Sequence, residues 1–253
     1  MLTGMGRPRL ELGAAGRTLC LAMALLFPWS LRAEVESTCY GRTAQGRLEN
    51  GVRLPASGAN FSAYSALAPV LGRTYVHSRV ARVVLAAYGA LKQASPGKVF
   101  VYGETGWAEG GPFKPHRTHQ NGLSVDFMVP VVDGKGHSVP LPGGVGNQFG
   151  YGIEFDGQGR YGEYRLDFAA LAEHLYQLHR AAQAQGVDIA QVIFEPAYLP
   201  ALLATPRGPY LRARLRFMKK PAWIRHDEHY HVDFAVPCKP MPRSAGAGGS
   251  GRG

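Results

Sequence analysis

No stretch beyond residue 27 approaches the roughly 20 consecutive apolar residues that a membrane-spanning helix needs. No segment recurs at a fixed period, and only three cysteines occur in 253 residues. These absences exclude a helical membrane bundle after the N-terminal segment, a collagen and a coiled coil. Acidic residues are also scarce, 18 against 28 lysines and arginines. With 45% hydrophobic residues the chain has the composition of a packed globular protein, large enough for one domain of about 200 residues.

A formal charge of +10 invites a nucleic-acid partner, so the position of the charge matters before its sum. Residues 1–33 carry Arg7, Arg9, Arg17 and Arg32 against Glu11. They have the layout of a secretory signal, with a basic lead, an apolar run Leu19–Phe27, then Pro28-Trp29 and the small Ala33. Cys20 lacks the small residues expected just before a lipid-modified cysteine, so cleavage is expected rather than lipid anchoring. Residues 239–253 (KPMPRSAGAGGSGRG) read as a flexible basic tail holding a further three positive charges. The body, residues 34–238, keeps 21 basic and 17 acidic residues. Within it, Arg207, Arg212, Arg214, Arg216, Lys219, Lys220 and Arg225 occur without an acid between Glu195 and Asp227. That run has few interleaved aromatics, so no nucleic-acid partner is expected; anionic cell-wall groups or plain solvation suit it better.

Signal removal leaves two cysteines, Cys39 and Cys238. In an oxidising compartment they are expected to pair and to close a loop around almost the whole domain, the alternative being two buried thiols.

Apolar spacing at Val80, Val83, Val84, Ala87, Tyr88 and Leu91 predicts a helix over 78–94, stopped by Pro96-Gly97. Asp167 is expected to cap a second helix running to Gln185, with Gly186 at its end. Strands are expected over 99–103, 123–132, 191–194 and 230–236, with a long glycine-rich loop over 140–162 and an arginine-rich helix or irregular segment over 209–218. This mixed order predicts an α+β domain around a small, mostly antiparallel sheet flanked by helices.

Five of the nine histidines fall in two clusters, His116 and His119 in HRTHQNGLSVD, and His226, His229 and His231 in HDEHYH. A strand from Tyr230 places His229 and His231 on one face, because side chains alternate with a period of two. Histidines and a carboxylate such as Asp126 suit Zn2+, and three protein ligands leave a fourth position open for catalysis.

The spacing of seven from His119 to Asp126, with His229-x-His231, resembles the metal motif of the LAS group of metallopeptidases, which includes lysostaphin-type and D-Ala-D-Ala peptidases. The closer similarity is to the penicillin-insensitive murein endopeptidase family. It is carried by Gly103-Glu104-Thr105-Gly106, Gly110-Gly111-Pro112-Phe113, His116-x-x-His119-Gln120-x-Gly122-Leu123-x-Val125-Asp126, and His226-x-x-His229-x-His231-Val232 with Trp223 before it. More weakly it extends over Cys39 to Pro55 and Val192 to Ala197. The resemblance implies a fold like that of hedgehog and D-Ala-D-Ala metallopeptidases, and one Zn2+ per chain held by His119, Asp126 and His231. It implies His229 as the catalytic histidine, either a general base or a stabiliser of the oxyanion. His116 and His226 flank that site, where they orient water, contact substrate or hold an extra metal. Glu104 and Glu195 are either partners of ligand imidazoles or solvated carboxylates. The implied reaction is hydrolysis of periplasmic peptidoglycan cross-links, most plausibly D-alanyl to meso-diaminopimelyl, in peptide stems. The alternatives are a zinc D-Ala-D-Ala carboxypeptidase or dipeptidase, whose Glu-x-x-Trp-His arrangement HDEHYH lacks, and a zinc-binding cell-wall module without turnover.

Overall fold

The computed structural model describes residues 35–220, 222 and 224–242. The expected signal peptide, residues 243–253 of the expected tail, and Trp223 lie outside them. Chain order begins with β1 (Thr38–Arg42), β2 (Gln45–Glu49), β3 (Val52–Arg53), β4 (Phe61–Ala63), α1 (Leu67–Val70), β5 (Tyr75–Val76), α2 (Ser78–Ala94) and β6 (Phe100–Tyr102). It continues through β7 (Ser124–Met128), β8 (Val131–Val132), β9 (Ser138–Val139), β10 (Arg160–Tyr161), β11 (Tyr164–Leu166) and α3 (Phe168–Ala184). The last elements are β12 (Asp188–Ile193), α4 (Leu199–Leu203), α5 (Gly208–Arg214) and β13 (His229–Ala235).

Helix α2 has the limits its apolar spacing predicts. Its buried stripe comprises Val80, Val83, Val84, Ala87, Tyr88 and Leu91. The N-terminus is capped by His77, whose Nδ1 accepts from Arg79 N. Helix α3 is capped by Asp167, which accepts from Ala170 N at 3.0 Å, and buries Leu171, Leu175 and Leu178. The two helices pack on each other and cover one face of a five-stranded sheet of order β12-β13-β7-β6-β4. Every pairing in that sheet is antiparallel except β4 with β6. The fold is therefore α+β around a small, mostly antiparallel sheet.

Strand β13 reads His-Tyr-His-Val-Asp-Phe, an alternation that sorts its side chains onto two faces. On the apolar face Tyr230 stacks on Phe127 at 5.5 Å between ring centroids, and Phe127 and His174 of α3 pack edge to face. His174 is a core histidine with no part in the clusters: burial lowers its pKa to about 3, so it stays neutral and accepts the Tyr230 hydroxyl. The polar face carries His229, His231 and Asp233.

One expected strand, over 123–132, is instead two. Pro130 has no N–H to give to a ladder, so β7 ends at Met128 and β8 joins a separate sheet of order β10-β11-β8-β9. The glycine-rich stretch 140–162 is likewise not wholly irregular, since Val145–Gly150 forms a 3-10 turn. Residues 209–218 resolve into α5 followed by an extended segment bridged to β12 at Val192 and Phe217.

Cys39 and Cys238 form a disulfide across 199 residues of sequence. In the chain-entropy account a loop of that length stabilises the fold by about 5 kcal/mol, an upper figure. The bridge also touches the loop that precedes β7, because Asn121 Nδ2 donates to Cys238 Sγ at 3.6 Å. Lys239, the first residue of the expected tail, donates its N–H to Cys39 O and accepts from Gly41 N.

Candidate metal centre

Strands β7 and β13 pair in a register that sets His231 directly opposite Asp126, which joins two motifs 105 residues apart. His119 reaches the same point from the loop before β7. Its backbone adopts the left-handed region at φ 67°, a conformation uncommon outside glycine. Two backbone hydrogen bonds of the next residue hold it there, Gln120 N to Thr43 O and Gly111 N to Gln120 O. Gly122 then turns the chain into the strand at φ 75°, where a Cβ would lie 2.7 Å from His77 N.

His119, Asp126 and His231 meet at one carboxylate oxygen. His119 Nε2 lies 3.3 Å from Asp126 Oδ1, and His231 Nδ1 lies 2.9 Å from the same oxygen. Ligand atoms about 2.0–2.1 Å from a tetrahedral zinc are separated by roughly 3.3 Å, so these spacings are close to those of a shared ion. The protonation pattern fits as well. His119 Nδ1 contacts the Thr105 carbonyl at 3.1 Å. A carbonyl can only accept, so Nδ1 carries the hydrogen and Nε2 presents its lone pair. Nε2 is buried and has no hydrogen-bond partner, an arrangement that costs roughly 1–3 kcal/mol unless something fills it. Burial also lowers the His119 pKa against the opposing pull of Asp126, keeping the ring neutral.

His231 lies between two carboxylates, Asp126 at Nδ1 and Asp233 Oδ1 at Nε2, the latter at 2.9 Å. Burial disfavours its charge, but Asp233 and Asp126 outweigh burial and raise its pKa to about 10. Asp233 is itself oriented by the Ser124 hydroxyl at 2.6 Å. Asp126 is fully buried, yet the surrounding histidines, His119 first, hold its carboxyl well below the usual range against the opposing effect of burial. Its second oxygen accepts the Tyr151 hydroxyl at 3.1 Å, and that hydroxyl accepts Glu104 N at 2.8 Å. Gly103 makes the contact possible, since a Cβ there would fall 2.4 Å from the Tyr151 hydroxyl oxygen.

The other clustered histidines surround this point. His116, His119 and Asp126 offer ligand atoms all within 4.8 Å of one another. His116 Nδ1 faces Asp126 Oδ2 at 3.8 Å, while its Nε2 meets Glu104 Oε2 at 2.5 Å. Glu104 is buried and also binds the Arg73 guanidinium and the Tyr64 hydroxyl. Burial alone would raise its pKa, but hydrogen bonds from His116, Arg73 and Tyr64 lower it to about 2. Of the two readings open for Glu104, the partner of an imidazole is the one observed. Glu195 instead caps a 3-10 turn, accepting from Ala197 N.

His229 Nε2 lies 4.0 Å from Asp126 Oδ2, and its Nδ1 hydrogen-bonds Glu228 Oε1 at 2.7 Å. Its pKa is raised because Asp126 and Glu228 overcome the cost of burial. His226 donates from Nδ1 to Ile224 O at 2.8 Å and packs 4.5 Å from the His229 ring. Burial and the neighbouring His229 charge lower its pKa to about 4. An adjoining cavity of about 470 Å³ is lined by His116, His226, Glu228 and His229 together with Leu71, Phe149 and Ile224.

The five clustered histidines and Asp126 therefore converge on one place, as does Glu104, whereas Glu195 does not. Four that build it were not singled out. Tyr151 lies in a stretch without periodicity, and Arg73 is 31 residues from the Glu104 it holds. Glu228 and Asp233 had a readable signal, one being adjacent to His229 and the other two places beyond His231 on the same strand face. Four carboxylates, those of Glu104, Asp126, Glu228 and Asp233, are thus gathered with the guanidinium of Arg73 and the histidines. Such buried negative charge is stable only with cationic compensation, and the donor set fits a divalent ion.

Residues 39–140 match the family model described as penicillin-insensitive murein endopeptidase. The match includes Glu104, His116, His119 and Asp126 and stops short of the 226–231 cluster. No curated protein matches the chain.

Proposed function

We propose that this chain is a zinc-dependent murein endopeptidase of the bacterial periplasm, with His119 Nε2, Asp126 Oδ1 and His231 Nδ1 holding one Zn2+ per chain. The observation that carries the reading is the meeting of the unpartnered His119 Nε2 and the His231 Nδ1 at one oxygen of a fully buried Asp126. The family match over residues 39–140 supports the substrate class. His116 Nδ1 faces the other carboxylate oxygen at a longer distance and is tied through Nε2 to Glu104, which favours His231 over it as the third ligand.

A zinc ion in such a site lowers the pKa of a water to about 7 and polarises an amide carbonyl. The chain supplies the rest. Asp233 holds the Nε2 hydrogen of His231 and the Thr105 carbonyl holds the Nδ1 hydrogen of His119, so each ring presents its other nitrogen. The Tyr151 hydroxyl occupies Asp126 Oδ2 and leaves Oδ1 to the site. Glu228 holds the Nδ1 hydrogen of His229, which turns Nε2 toward the site, where it takes a proton from the attacking water or donates to the oxyanion. His116 and His226 line the cavity wall, where an amide of a peptide stem can be placed. The bond assigned is the D-alanyl to meso-diaminopimelyl cross-link.

Incubating the zinc-loaded protein with purified cross-linked sacculi is expected to release monomeric muropeptides, and a chelator is expected to stop the release. Mass spectrometry of the products identifies the bond. Loss of a terminal D-alanine without uncoupling of cross-links would make the protein a carboxypeptidase instead, and tight zinc binding without any product would make it a binding module.

A further inference from the structure

A second feature lies at the opposite end of β13. A surface groove of about 740 Å³ runs between α3, the start of β12 and the segment after α5, and Arg212, Arg214 and Arg216 line it together with His179, Asp188 and Ala235. All three arginines are exposed, and none of their guanidinium groups makes a hydrogen bond or ion pair among the described residues. Other arginines are used by the fold: Arg207 chelates Glu173, Arg73 holds Glu104, and Arg225 meets Asp227 at 3.0 Å. The one acid in the groove, Asp188, is engaged by His179 Nε2 at 3.3 Å and by Ile189 N at 2.8 Å.

Arg212 and Arg214 sit in the last turn of α5, where positive charge offsets the helix dipole. Arg216 has no such role. It lies in the extended segment beyond the helix, pinned by the bond from Val192 N to its carbonyl, so three guanidinium groups are held on one wall by backbone structure. Because β12 and β13 pair Asp188 with Ala235, the groove opens four residues along β13 from His231, a distance of about 13 Å at 3.3 Å per residue.

We infer that this groove is an exosite for an extended, carboxylate-bearing polymer, the peptide-substituted glycan that the proposed function takes as substrate, on which reading the inference rests. The guanidinium fork matches a carboxylate in geometry as well as charge. Among the described residues no Phe, Tyr or Trp side chain lines the groove to stack on the bases of a single strand, and the one ring there, His179, is committed to Asp188. None of the large exposed hydrophobic side chains lies in it to enter a lipid surface. A polymer long enough to span 13 Å is held at the groove while one of its stems occupies the metal centre, so the arginines act on retention and leave the hydrolytic step alone.

The test compares the full chain with the triple variant Arg212→Gln/Arg214→Gln/Arg216→Gln in two assays. Cosedimentation with purified sacculi, in chelator so that nothing is cleaved, is expected to weaken about tenfold at low salt, each exposed ion pair contributing a few-fold. The difference is expected to fade at high salt and to vanish on sacculi whose carboxyl groups have been amidated. A soluble cross-linked muropeptide dimer, which lacks the repeating carboxylates of the polymer, is expected to be cleaved at saturation with the parent turnover. The variant Arg42→Gln/Arg53→Gln/Arg165→Gln, with the same loss of charge elsewhere on the surface, is expected to bind as the parent does. Unchanged sacculus binding by the first variant, an equal loss in the second, or a difference that survives amidation would each overturn the exosite. If neither protein cleaves the dimer, the hydrolytic reading fails while the binding comparison still decides the groove.

Discussion

Alanine in place of His119 is expected to strip the protein of zinc and to stop hydrolysis of cross-linked muropeptides. Removal of an outer hydrogen-bond partner of a metal ligand costs about 10–100-fold in affinity, and loss of a ligand itself is expected to exceed that. Two features make His119 the most sensitive position. Its Nε2 is buried without a hydrogen-bond partner, the position that the proposed metal would fill. Its backbone is held in the left-handed region by the hairpin β1–β2 through Thr43, so the donor is placed before any ion arrives. Because the side chain is fully buried, alanine also leaves a cavity. His119→Gln keeps more of the volume and separates the two effects: it is expected to retain a cooperative thermal transition while showing the same loss of zinc. Equilibrium dialysis against buffered zinc, read beside circular dichroism, checks both. Zinc retained at parental affinity in His119→Gln would remove His119 from the ligand set.

The second large effect is expected at His229. His229→Ala should retain one zinc per chain and lose about 10²- to 10⁴-fold in turnover, the range for a positioned proton-transfer group. The separation rests on distance and on partners. His229 Nε2 is 4.0 Å from Asp126 Oδ2 and does not touch the oxygen shared by His119 and His231. Its other nitrogen is committed to Glu228, the arrangement that fixes tautomer and orientation in a group that moves protons. Single-turnover cleavage of a muropeptide dimer, with metal content measured on the same sample, checks this. Loss of zinc along with activity would make His229 a ligand.

The sequence made the site's donors legible because their spacing follows local rules. His229 and His231 share a face because strand side chains alternate, and the same alternation put Tyr230, Val232 and Phe234 into the core. Helix α2 and the cap at Asp167 were readable for a similar reason, a stripe of apolar residues bounded by a proline-glycine stop in one case and a carboxylate N-cap in the other. The disulfide was expected because the 34–238 body holds two cysteines, Cys39 and Cys238. What remained hidden depends on contacts between distant segments. Nothing near Arg73 announces that it will hold Glu104, and nothing in the glycine-rich stretch marks Tyr151 as the residue that reaches Asp126. The expected long strand over 123–132 failed at Pro130, whose missing N–H ends the ladder that its apolar neighbours would otherwise extend. Glu228 was readable as a neighbour of His229, but only the turn of the chain into β13 makes the two side chains meet.

These residues also divide the work by place. The polar face of the sheet assembles donors and their carboxylate partners, the apolar face anchors them to α2 and α3, and the hairpin tied by Cys39–Cys238 braces the loop that delivers His119. The binding of metal and the cleavage of peptide are therefore expected to rise and fall together. Titrating zinc into chelator-treated protein while following the release of monomeric muropeptides tests that most directly. The predicted trace rises linearly and breaks at one zinc per chain, with no release at zero metal. Release that persists in chelator, or a full equivalent of zinc bound without any release, would contradict it.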